Sequence, residues 1–281
     1  MTIEKVSVHG GHSGRYCGHA QDALEDVVLE YIAQGFTWVC LTEHMPCQTE
    51  QHMPPEERAE GLTAAEFNAR IDRYFNEARA LKTKYAGDIE LLVGFETEAY
   101  TGYQDEVSAL IDRHQPDMIV GSVHHMHDIL FDAASDDYAQ AVERSGSIEQ
   151  FYCDYFDKQL ELIECFKPPV VGHFDLVRLH DPDYRARFEV PSIRDRAFRN
   201  LSRIKELGLI LDLNMRSLKK SATEPYITES LMTFAIEQDI AIAPGDDSHG
   251  VADVGLNYDI GLKIYTERGG VTDWQKPIWQ S

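Results

Sequence analysis

The sequence has no Cys-x-x-Cys pair, few basic residues, no run of basic side chains and no apolar stretch near the roughly 20 residues needed to span a bilayer. Its five cysteines, Cys17, Cys40, Cys47, Cys153 and Cys165, are odd in number and scattered. With no apolar leader at the N-terminus, they argue against a disulfide framework and for a reducing, cytoplasmic setting. Lys and Arg total 26 against 48 Asp and Glu, a formal charge of −22. So acidic a surface repels phosphate backbones and anionic lipid alike, so neither nucleic acid nor membrane is an expected partner. Linker-like composition breaks and low-complexity segments are also missing. The 281 residues, 43% of them hydrophobic, read as one domain spanning 1–281 with enough apolar content for a large core.

What is present is one layout repeated. Short apolar runs, "KVSVHG", "FTWVCLTEH", "IELLVGFETE", "DMIVGSVHH", "PPVVGHFD", "LILDLN" and "IAIAPGDDSH", alternate with longer amphipathic segments. In "DALEDVVLEYIAQG" the residues Leu24, Val27, Val28, Tyr31 and Ile32 recur at helical spacing, and Gly35 marks the stop. A second helix is expected from about Ala64 to Tyr85. Near-continuous apolar strands separated by helices imply a parallel sheet buried on both faces, and seven such units suggest a barrel.

In a barrel of this kind the C-terminal ends of the strands share one face, so residues far apart in sequence meet there. Those ends carry His9 or His12, Glu43 with His44, Glu96 with Glu98, His124 with His125, His173, Asn214, and Asp246, Asp247 and His249. The opening stretch "VHGGHSGRYCGH" adds His19. Imidazoles mixed with a few carboxylates suit Zn, Mn or Fe better than Mg or Ca. The donors outnumber what one tetrahedral ion can use, which points to two or three divalent ions and to metal-assisted hydrolysis, with in-line attack on phosphorus as the fitting chemistry.

In their order, "HSGRYCGHA", "LTEHMP", "VGFETE", "GSVHH", "VGHFDLVRL", "LDLNMRSLKK" and "DDSHGVADVG" resemble the motifs of the PHP (polymerase and histidinol phosphatase) superfamily, and within it the histidinol-phosphate phosphatases. The resemblance runs from about His12 to Gly255, most of the chain. It implies a distorted (β/α)7 TIM-like barrel with a trinuclear metal site. Carried over by position, it makes His19, His44 and His249 ligands of an outer ion and Glu96 a bridge between two ions. His124 and His173 would bind the inner of that pair, and Asp247 the other, beside His12. Glu96, Asp247 and His249 are the expected catalytic residues. Glu43, Glu98, His125 and Asp246 adjoin matched positions, either as ligands or as side chains that orient ligands.

A phosphate ester also needs positive charge. In "NMRSLKK", Lys219 stands where the family has arginine, with Arg216 three residues earlier, and these two are the expected substrate binders; Lys220, Arg15 and Arg178 are further candidates. One departure concerns the first strand, which in the family carries His-x-His. Matching His12 to the second histidine puts the first at Gly10, whereas His9 on a regular strand would face the opposite way. A bulge at Gly10 and Gly11 would return His9 to the ion that His12 binds; otherwise Gly10 marks a lost ligand. The expected function is hydrolysis of L-histidinol phosphate to L-histidinol and phosphate in histidine biosynthesis. The alternatives are a PHP phosphoesterase for another small monoester and a PHP-like metal-binding protein with impaired catalysis; the acidic charge disfavours a nucleic-acid module.

Overall fold

All seven apolar runs become strands. The computed structural model describes residues 3–220 and 222–279, among which lie nine strands. They are β1 (Lys5–Ser7), β2 (Phe36–His44), β3 (Glu90–Glu96), β4 (Met118–Gly121), β5 (His125–Met126), β6 (Ile129–Leu130), β7 (Val170–Val171), β8 (Ile210–Asn214) and β9 (Ala241–Gly245). β5 and β6 make a small antiparallel hairpin. The other seven pair in the order β1-β2-β3-β4-β7-β8-β9, every pairing parallel. Val8 N–H donates to the Pro244 carbonyl at 2.8 Å and Asp247 N–H to the His9 carbonyl at 2.9 Å, so the ends of β1 and β9 meet. The result is a nearly closed α/β barrel. It is distorted because β2 runs for nine residues while β1 has three and β7 two.

Burial follows the sequence logic. Thr37 alone is exposed along β2, as a strand covered on both faces requires. The helix Leu24–Ala33 turns Leu24, Val27, Val28 and Tyr31 inward. The helix Ala64–Lys84 starts from a reciprocal Thr63–Glu66 cap and buries Phe67, Ile71, Tyr74, Phe75, Ala78 and Leu81. Register then aligns the polar strand ends: His44 lies beside Glu96, and Asn214 beside Gly245. Among the described residues no helix is long and apolar enough to cross a membrane.

Candidate metal centre

Glu96, at the end of β3 and 1% exposed, stands among five imidazoles contributed by four other segments. Its Oε1 is 2.9 Å from His173 Nε2, 3.2 Å from His9 Nε2 and 3.3 Å from His124 Nε2. Its Oε2 is 3.1 Å from His44 Nδ1 and 3.9 Å from His12 Nε2. The two carboxylate oxygens therefore face two different groups of histidines. On the second side, Asp247 Oδ1 lies 3.4 Å from His12 Nε2. His249 Nε2 is 3.0 Å from His19 Nε2, and the ring of His12 stacks on that of His249 at 4.2 Å.

A layer of partners fixes which nitrogens face inward. Asp212 Oδ2 accepts from His9 Nδ1 at 2.8 Å and from Asn214 Nδ2 at 2.9 Å. Glu98 Oε2 lies 3.0 Å from the Nδ1 atoms of both His124 and His125, and Glu43 Oε1 3.4 Å from His12 Nδ1. His249 Nδ1 faces the Asp247 carbonyl at 2.9 Å, and a carbonyl only accepts, so the proton sits on Nδ1 and Nε2 keeps a bare lone pair. Carboxylates or carbonyls behind the ring and a free Nε2 in front is how proteins orient metal-binding histidines.

The residues fit divalent ions. Nε2 of His44 is buried with no polar partner, while Nε2 of His9, Nε2 of His12 and Nδ1 of His44 meet only the carboxylates of Glu96, Glu98 and Asp247, without hydrogen-bond geometry. Groups of three or more donor atoms within 4.8 Å form around His9–His12–Glu96, His12–Asp247–His249, Glu96–His124–His173 and His9–His173–Asp247, and around His19, His44 and His249 with Cys17. The His124–His173 and His19–His249 nitrogen pairs, 3.1 and 3.0 Å apart, come close to the edge of about 3.3 Å that metal–nitrogen bonds of roughly 2.0–2.1 Å imply. Charge is arranged accordingly. Burial opposes protonation of His9, His44 and His124, yet the facing carboxylates outweigh it and raise all three, His44 to about 10. Burial and neighbouring positive charge push His19 down to about 3 and His249 well down, leaving both neutral.

The structure brings together every histidine expected as a ligand. His9 reaches the cluster by a route other than a strand bulge: β1 ends at Ser7, the ladder irregularity falls between Lys5 and Val6, and a left-handed Gly11 (φ +77°) turns the chain. The rings of His9 and His12 end 5.9 Å apart. Position 10 faces elsewhere, since a Cβ there would sit 2.5 Å from Asp246 Oδ1 and Tyr31 Oη. Asp246 also points away from the cluster, held by Ser7, Tyr31 and the Gly255 N–H, and burial pushes it up to about 6.

The cations sort differently from the sequence expectation. A cavity of about 260 Å³ opens against the cluster, and Arg216 and Lys220 line it with Asp132 and Tyr226. Lys219 does not: its ammonium turns outward to pair with Asp253, and its side chain is 46% exposed. Arg216 reaches back to the Asp247 carbonyl at 2.9 Å. Arg15 pairs with Glu77 at the surface, and Arg178 is buried against Asp175 and the Pro225 carbonyl. Sequence reasoning missed Asp212, whose signal was an acidic residue inside the apolar run "LILDLN".

Seven parallel strands nearly closed around a histidine–carboxylate cluster at their C-terminal ends define an α/β barrel of the metal-binding kind. Within that class the chain belongs to the PHP domain family, whose model matches residues 10–216. It is 36% identical over 271 residues to a probable histidinol-phosphatase of Schizosaccharomyces pombe, covering 95% of this chain and 87% of the relative. To the histidinol-phosphatase of Saccharomyces cerevisiae it is 30% identical, over 89% of this chain and 85% of that one. The solved structure of a putative histidinol phosphatase from Listeria monocytogenes matches with a TM-score of 0.80 at 26% identity, over 91% of this chain and 99% of the other. A histidinol phosphate phosphatase of Lactococcus lactis, solved with Zn, L-histidinol and phosphate, shares the fold with a TM-score of 0.72 at 22% identity, over 96% and 95% of the two chains.

Proposed function

We propose that this protein is a metal-dependent phosphomonoesterase that hydrolyses L-histidinol phosphate to L-histidinol and phosphate, a step of histidine biosynthesis. The observation that carries the reading is Glu96, whose two oxygens face separate histidine groups at the floor of a cavity that Arg216 and Lys220 line. Relatives matched over most of both chains, one named a probable histidinol-phosphatase at 36% identity and one a histidinol-phosphatase at 30%, support the substrate.

His9, His12, Glu96 and Asp247 hold one ion in this reading; Glu96, His124 and His173 a second; His19, His44 and His249 a third. Zn, Mn and Fe all suit that donor set. Divalent ions held there supply Lewis-acid activation of water and of the phosphoryl group near neutral pH. Arg216 and Lys220 bind phosphate oxygens and set the ester's orientation, replacing Lys219 in the role the sequence assigned it. Asp212, Glu98 and Glu43 orient His9, His124 and His12 and keep their Nδ1 protons in place. The whole chain acts as one domain, and its free cysteines suit a reducing cytoplasm.

Phosphate release from L-histidinol phosphate, measured beside a panel of other small monoesters, tests the assignment. A kcat/KM at least tenfold above every other ester is expected. Equal or better turnover of another ester would reassign the substrate.

A further inference from the structure

Cys17 is not an ordinary buried thiol. A free cysteine normally packs as a small apolar side chain. This one, 2% exposed, has its Sγ 3.3 Å from His19 Nδ1 and 3.4 Å from His19 Nε2. Its sulfur and one nitrogen each from His19, His44 and His249 all lie within 4.8 Å of one another. The loop that carries it is held in place: Cys17 N–H donates to the Ser13 carbonyl at 2.9 Å, Ala20 N–H to the Cys17 carbonyl at 3.2 Å, and Gly18 N–H to Glu57 Oε1 at 2.6 Å.

Two further observations point to a cation at this spot. The lone pair of His249 Nε2 faces His19, because the other ring nitrogen donates to the Asp247 carbonyl. Nε2 of His44, buried from solvent, has no partner at all. In a tetrahedral site with a metal–sulfur bond of about 2.3 Å and metal–nitrogen bonds of about 2.0–2.1 Å, sulfur and nitrogen stand roughly 3.6 Å apart, close to the Cys17–His19 spacing.

We propose that Cys17 supplies a thiolate to the outer ion, completing with His19, His44 and His249 a donor set of one sulfur and three nitrogens. The proposal rests on the metal-centre reading above and adds a ligand to it. As the ion binds, the Cys17 S–H bond gives its proton to water and the freed sulfur pair forms the bond to the metal; nothing is oxidised or reduced. A soft ligand makes this position favour Zn or Co over Mn, whereas the carboxylate-rich positions around Glu96 and Asp247 lack that preference.

Cobalt(II) added stepwise to metal-free protein separates the outcomes. Visible d–d bands report that cobalt is bound; a near-ultraviolet sulfur-to-cobalt charge-transfer band reports thiolate ligation. Wild-type protein should show both. Cys17→Ser should keep the visible bands and lose the charge-transfer band. Visible bands without charge transfer in the wild type, or a charge-transfer band that survives in Cys17→Ser, would overturn the thiolate proposal and leave the metal centre standing. Folded wild-type protein that binds no cobalt would overturn both. X-ray absorption of the zinc-loaded wild type needs no variant and should show a sulfur shell at about 2.3 Å; a shell of nitrogen and oxygen alone contradicts the proposal.

Discussion

Glu96 and Gly10 show how differently two buried positions near one centre respond to change. Glu96→Ala removes the carboxylate that faces two histidine groups, so it should lower bound metal and phosphatase turnover more than loss of any single imidazole. Metal analysis beside phosphate release checks this, and near-normal values for both would remove Glu96 from the centre. Gly10 is constrained by packing. A side chain there meets Asp246 and Tyr31 on the side away from the cluster. Gly10→Ala should therefore cost about 1–3 kcal/mol of stability, read from denaturant melts, as overpacking does in other cores. Gly10→His should add no metal affinity, whereas His9→Ala should reduce metal occupancy about as much as His12→Ala. Most of the histidines were legible in the sequence because they stand at the ends of apolar runs, whereas His19 was marked by the histidine-rich opening stretch. The route of His9 was not legible, because period-two alternation holds only within a strand, and the strand stops at Ser7.

On the scale of elements, β8 and the single-turn helix after it, Arg216–Lys219, account for what the sequence read wrongly or passed over. The motif match put positive charge at Lys219. Adjacent residues on a helix point about 100° apart, so the start of the turn decides which lysine meets the cavity. Here it begins at Arg216, which turns Lys219 toward Asp253 and leaves Lys220 at the cavity wall. Lys220→Ala and Arg216→Ala should each raise KM for the phosphate ester ten- to a hundredfold, the cost of a charge-assisted contact of roughly 1.5–3 kcal/mol. Lys219→Ala should change KM less than threefold. Steady-state kinetics on the three variants decides between the two lysines. Within β8, Asp212 and Asn214 share one face by strand alternation, and reading only the polar end of the run missed the aspartate that orients His9. Asp212→Asn should lower metal affinity ten- to a hundredfold, as loss of a partner behind a ligand does elsewhere; an unchanged affinity by metal titration would reduce Asp212 to packing.

For the molecule as a whole, the barrel could be read from the sequence because burial of a parallel sheet on both faces writes each strand as an apolar run. The β5–β6 hairpin could not, since two-residue strands carry no period to detect. Nor could the cavity, which depends on how loops from distant segments pack. Carboxylates also set the charge state of the centre, where they hold protons on His9, His44 and His124 in the metal-free protein. Bound ions must displace those protons. Metal uptake at neutral pH should therefore release protons, and affinity should rise with pH, which calorimetry in buffers of different protonation enthalpy detects. The central claim is that phosphate-ester hydrolysis depends on ions held by this cluster. It is tested most directly by assaying L-histidinol phosphate hydrolysis on protein whose metal content has been measured before chelation, after chelation and after adding back Zn, Mn or Fe. The account predicts that activity falls with the metal and returns with it; full activity in protein verified to be metal-free would contradict it.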